Sequence, residues 1–179
     1  SPCNVVTYQM EMLRRGGYEP ILYVLDCFPK EIEFEGVEIR RVLPTLIFEP
    51  YHGIIASRQV PASFEKDVAK VVPAMEQNFK DIDIFLCHDI IFQDSFLPYN
   101  AALRKITLRK EQFFLHWMHS GPSLKPQVEE PISYLYTLPP QSTLVYMNKY
   151  DTTRAAEMYG IFAKDVRVVH NPIDYRTLP

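Results

Sequence analysis

Six short runs of apolar, mostly β-branched or aromatic residues recur along this chain with helical spacing between them, and that alternation admits few folds. The runs occupy residues 20–26, 37–43, 82–87, 113–118, 143–147 and 166–170. Each has the length of a strand, and the scarcity of polar alternation suits strands covered on both faces, as in a parallel sheet. Residues 4–15, 63–80, 98–110 and 152–159 instead space their apolar side chains as a helix does. In 63–80 the stripe is Phe64, Val68, Val71, Val72, Met75 and Phe79, and Pro73 predicts a kink. Gly16-Gly17 supplies a stop for the first helix. Residues 45–57 and 120–141 read as long loops.

Strands alternating with helices need crossover connections, which produce a parallel sheet. The expected fold class is α/β: a Rossmann-like, doubly wound, mostly parallel sheet with helices on both faces. A chain of 179 residues, 47% of them hydrophobic, buries one core, so residues 1–173 are expected to form one domain. Ligands of such sheets gather at the carboxyl ends of the strands. Three places put polar residues there: His88-Asp89, His119-Ser120-Gly121 and Asn148-Lys149.

Charge and composition narrow the partners. A net charge of −3 supplies no basic face for nucleic acid, so none is expected. No run approaches the roughly 18 apolar residues of a membrane-spanning helix, and the sequence does not open on a signal-peptide pattern. Cys3, Cys27 and Cys87 are odd in number and widely spaced, which suits reduced thiols in a cytoplasmic compartment.

The last apolar run carries the most specific signal. Val166, Val168 and Val169 favour extended backbone, while Pro172 lacks an N–H and turns Asn171 away from helix, so the strand should stop at His170. This V-R-V-V-H-N-P-I-D segment resembles the strand and turn that close the N-terminal domain of GT-B glycosyltransferases of the retaining family 4 (group 1) type. Gly17-Tyr18-Glu19-Pro20-Ile21 is similar to that family's entry into its second strand, and residues 81–88, D-I-D-I-F-L-C-H, to a strand that ends in histidine. Leu115-His116-Trp117-Met118-His119-Ser120 looks like the strand whose closing histidine faces the acceptor. Asn148 stands where the family usually has serine at the end of the next strand.

The resemblance implies the N-terminal, acceptor-side half of a GT-B fold. Its first strand and glycine-rich loop would precede this chain, and a C-terminal donor-binding domain would follow a linker over residues 174–179. The implied reaction moves a sugar from a nucleotide-sugar donor, with retention, to a hydroxyl of a carbohydrate or lipid-linked acceptor, and this half alone is expected to be inactive. The donor is a substrate, so no cofactor is implied, and a lipid-linked acceptor would bring the protein to a membrane surface. Two readings of another class stay open: a non-catalytic α/β binding module, and one half of a sugar-nucleotide epimerase.

Within that frame His119 is the catalytic candidate, because an imidazole donates or accepts a proton near neutral pH and so orients a hydroxyl. His88, Asp89, Ser120, Gly121 and Asn148 are candidate substrate-binding residues, and His170 with Asn171 the hinge. Each has a structural counterpart: a strand-end histidine or Asp89 can cap a turn, and Pro122 can make Ser120-Gly121 an ordinary bend. His116 stands three residues before His119, an odd spacing that puts it on the opposite face of a strand, packed beneath a helix. That geometry breaks a zinc cluster of His88, Asp89, His116 and His119, and no metal is expected. Arg104, Lys105, Arg109 and Lys110 read as a solvated helix end.

Overall fold

The computed structural model describes residues 2–106, 108–123 and 125–171, with side chains from residue 5 onward. The chain divides into two compact units, Ser1–Thr45 with His170–Pro179, and Leu46–Val169. In the first unit, helix α1 (Pro2–Arg15) precedes strands β1 (Ile21–Leu25) and β2 (Glu38–Leu43). The helix begins before Asn4 and stops at Gly16-Gly17, where Gly17 takes a φ of +82 that a side chain would strain. β1 and β2 pair in parallel, with Ile21 opposite Glu38. The Arg41 guanidinium fastens their connection by donating to the carbonyls of Phe28, Pro29, Lys30 and Ile32.

The second unit opens with two short helices' worth of chain where the sequence suggests a loop. A 3-10 turn at Glu49–Tyr51 and helix α2 (Ile54–Ser57) form there because Tyr51 and Ile54 are buried completely, and the Tyr51 hydroxyl donates to Asp67 Oδ2 at 2.8 Å. Helix α3 (Phe64–Asn78) follows and continues through Pro73. Strand β3 (Ile84–His88), helix α4 (Leu97–Lys105), strand β4 (Phe113–Met118), strand β5 (Ser142–Tyr146), helix α5 (Thr152–Tyr159) and strand β6 (Arg167–Val168) complete it. The four strands lie in sequential order and all pair in parallel.

The core of this unit joins Val68, Val71 and Met75 of α3, Leu97 and Leu103 of α4, Phe114 of β4 and Leu144 of β5. Each such side chain contributes about 1.5–3 kcal/mol on removal from water. The α/β class with parallel strands is therefore what the chain adopts, in two sheets of two and four strands where the alternation suggested one. α4 ends at Lys105, earlier than residue 110, and β6 is two residues long because only Val145 and Tyr146 pair with it. Exposed His170 and half-buried Asn171 follow β6; the Pro172 turn and the linker over residues 174–179 lie outside the described residues. Among the described residues, no helix is long and apolar enough to cross a membrane.

Candidate functional site

The site begins in the register of two strands. His88 stands opposite Trp117 across the parallel β3–β4 ladder. Paired residues face the same way, and residues two apart on a strand return to one face, so His88, Trp117 and His119 share a side. Cys87 and His116, also opposite each other, fall on the other side. His119 follows directly after the last residue of β4, and its Nε2 stands 2.8 Å from His88 Nδ1. The ring centroids are 5.1 Å apart and the planes only 16° inclined. That separation is the N···N distance plus the two ring radii, so the contact is an in-plane hydrogen bond rather than a face-to-face stack. Trp117 backs His88 at 6.1 Å.

Asp89 holds the pair in place. Its N–H donates to Trp117 O at 3.0 Å and prolongs the ladder by one bond. Its Oδ1 then accepts the backbone N–H of His119 at 2.9 Å, while Oδ2 receives Gln93 Nε2 at 3.4 Å. Asp89 has a φ of +59, a left-handed conformation that aspartate tolerates better than most side chains. Burial raises its carboxyl pKa, and the bond from His119 N–H opposes that rise.

Burial, and after it the His119 imidazole, pulls the His88 pKa down to about 4. His88 is accordingly neutral at pH 7, and one proton lies between two rings. Among the described residues, no hydrogen-bond partner is found for the two remaining ring nitrogens, His88 Nε2 and His119 Nδ1. At the carboxyl edge of the sheet the pair thus offers two further nitrogens, whose donor or acceptor character depends on the tautomers.

Ser120 and Gly121 are exposed, and a Cβ on Gly121 would meet nothing within 4 Å. Asn148 spends its Oδ1 on the N–H groups of Tyr150 and Asp151, at 2.9 and 3.1 Å, and so caps its own turn. His170 and Asn171 belong to the first unit. His116 is 1% exposed, with Nε2 3.1 Å from Ser142 Oγ and Nδ1 unpartnered; burial, then the Arg104 charge, lowers its pKa to about 3. Burial pushes the adjacent Cys87 thiol up to about 12, far from thiolate chemistry near pH 7. Among the described residues, no three His, Cys, Asp or Glu side chains gather as metal ligands would.

Two residues shape the site in ways the sequence reading did not anticipate: Asn100 was not singled out, and Arg104 was read as part of a solvated helix end. Asn100, with no exposed surface, donates to Ile91 O at 3.0 Å and Tyr134 O at 2.9 Å, and its Oδ1 accepts from Arg104 Nε at 3.0 Å. Arg104 also donates to the carbonyls of Tyr134 and Thr137 and lies over the Tyr134 ring at 4.6 Å. Together they lash the turn after β3 to the 3-10 turn Ile132–Tyr136, and Arg104 is a half-buried brace rather than a solvated helix end. Their signal was an Asn and an Arg four apart in a helix whose other residues, Lys105 apart, are apolar or aromatic. Comparison of the chain with protein-family models, curated proteins and solved structures gives no match.

Proposed function

We propose that this chain is the acceptor-side, N-terminal domain of a retaining GT-B glycosyltransferase, and that the His88–His119 pair binds the acceptor hydroxyl. The single observation that carries the reading is the 2.8 Å bond between two strand-end histidines, each chosen from sequence alone, at the carboxyl edge of a parallel sheet. That edge is where α/β sheets take ligands. The paired imidazoles put two ring nitrogens at that edge, groups that suit a ligand carrying hydroxyls. Sugar transfer needs an oriented hydroxyl and stabilisation of a departing diphosphate. The centre described serves the first need, and the donor-binding domain implied by the resemblance would serve the second. The donor is then a nucleotide sugar, and the acceptor a carbohydrate or a lipid-linked sugar presented at a membrane surface.

The test is histidine-detected NMR of the chain titrated with methyl α-glucoside and methyl α-mannoside. At least one is expected to shift the imidazole signals of His88 and His119 saturably, with an affinity on the order of millimolar for so small a probe, and His119→Ala should abolish the response. Imidazole signals indifferent to both sugars contradict the reading.

A further inference from the structure

The bond between His88 and His119 constrains both rings at once. Two neutral imidazoles carry one proton each, and a single proton occupies the line between His88 Nδ1 and His119 Nε2. If His119 donates that proton, His119 is the Nε2–H tautomer, and His88, whose Nδ1 accepts, is the Nε2–H tautomer too. If His88 donates, both rings are Nδ1–H tautomers. The tautomers are therefore locked together. In either state one outward nitrogen is an N–H donor and the other a lone-pair acceptor, and the roles exchange when the central proton crosses as one outward nitrogen gains a proton and the other loses one.

The geometry points to a charge-neutral proton relay in which the pair takes a proton from a ligand hydroxyl at one outward nitrogen and gives one up at the other. The inference rests on the acceptor-site reading above and adds where the hydroxyl proton goes. In the forward step the O–H bond of the acceptor breaks as an N–H bond forms at His88 Nε2. The proton on His88 Nδ1 crosses to His119 Nε2, and the proton on His119 Nδ1 leaves to a second oxygen, either a departing phosphate or a water. No ring gains net charge when the transfers are concerted, which matters beside Trp117 and in a place where burial disfavours an imidazolium. Asp89 faces the pair from the turn after β3 and its bond to the His119 main chain fixes the position of the second ring. After the product leaves, water gives a proton at His119 Nδ1 and takes one at His88 Nε2 as the central proton returns, which restores the starting tautomers.

The same balance selects the ligand. A phosphate or carboxylate offers only acceptors and would leave the outward lone pair facing an anion. A hydroxyl both donates and accepts, so it can serve the outward nitrogen it meets in either tautomer, while the other nitrogen, at the far end of the pair, meets a second oxygen.

The experiment is 15N NMR of the full chain labelled at histidine nitrogens, near neutral pH, with and without the methyl glycoside that binds best. Tautomer fractions are read from the nitrogen shifts of each ring. The relay predicts equal Nδ1–H fractions for His88 and His119 in the free chain, and an equal change in both when sugar is added. His88→Asn leaves an amide near the former Nδ1 but removes the outward nitrogen that meets the hydroxyl, so sugar binding should weaken at least about tenfold and the His119 tautomer should no longer respond. Unequal fractions, or equal fractions that sugar does not move, overturn the relay while leaving the acceptor site standing. No imidazole response to sugar of any kind overturns both.

Discussion

Asp89 Oδ1 accepts the main-chain N–H of His119 at 2.9 Å, so the carboxylate beside one imidazole holds the backbone beneath the other. The turn after β3 and the turn after β4 are thereby joined through a single side chain, and the distance between the two rings follows from that joint. Asp89→Ala removes the acceptor and puts a less tolerant residue at positive φ. We expect it to cost about 2–4 kcal/mol in urea unfolding, the sum of a lost charge-assisted bond and the backbone strain. Asp89→Asn keeps an oxygen at the same place and should cost under about 1.5 kcal/mol. Equal losses for the two variants would show that the bond does not position the site.

His88 is half-buried and His116 buried, and both have pKa values well below the ordinary 6.5. The folded protein resists protonation at these rings and the unfolded chain does not. Their contribution is therefore complete above pH 6.5 and is lost as pH falls below it toward 4 and 3. The slope is about 1.4 kcal/mol per pH unit for each ring. His116→Gln keeps a group near Nε2 for Ser142 and removes the titration, so urea midpoints measured between pH 7 and 4.5 should fall less steeply with acid than those of the parent. A slope identical to the parent's would mean that His116 does not stay neutral in the folded state.

Tyr159 presents the opposite case, a polar atom with nothing to hold. Its hydroxyl is sealed from solvent without a partner, and burial, with Tyr136 and Asp89 adding to it, drives its pKa upward. A buried unpaired hydroxyl costs about 1–3 kcal/mol. Tyr159→Phe should therefore leave stability unchanged or raise it by up to about 1.5 kcal/mol in the same urea assay. A loss of more than about 1 kcal/mol would place a partner on that oxygen.

Much of this arrangement is legible in the residues. The apolar runs at 84–86 and 113–118 announce strands because His116 is the one polar residue inside them, and the polar residue that ends each one marks the edge where ligands collect. The odd spacing of His116 and His119 placed them on opposite faces, and burial of one with solvent access for the other follows. Register was not legible: His88 meets His119 only because His88 lies opposite Trp117, and pairing between strands 25 residues apart leaves no local trace. Residues 45–57 escaped for a different reason. Tyr51 and Ile54 are buried by tertiary packing rather than by any periodic pattern, so short turns formed where propensity alone gave a loop. Asn148 shows the limit of chemistry read from position, since its oxygen serves the adjacent turn.

The most direct test of the central geometry is a through-bond measurement between the two imidazoles. In the chain labelled with 15N at histidine, near neutral pH, a hydrogen bond from ring nitrogen to ring nitrogen transmits a coupling between His88 Nδ1 and His119 Nε2. We predict that this coupling is observed, that it persists in Asp89→Asn, and that it vanishes in His119→Ala. Two histidines with no mutual coupling, each exchanging its ring proton freely with water, would contradict the paired site and everything derived from it.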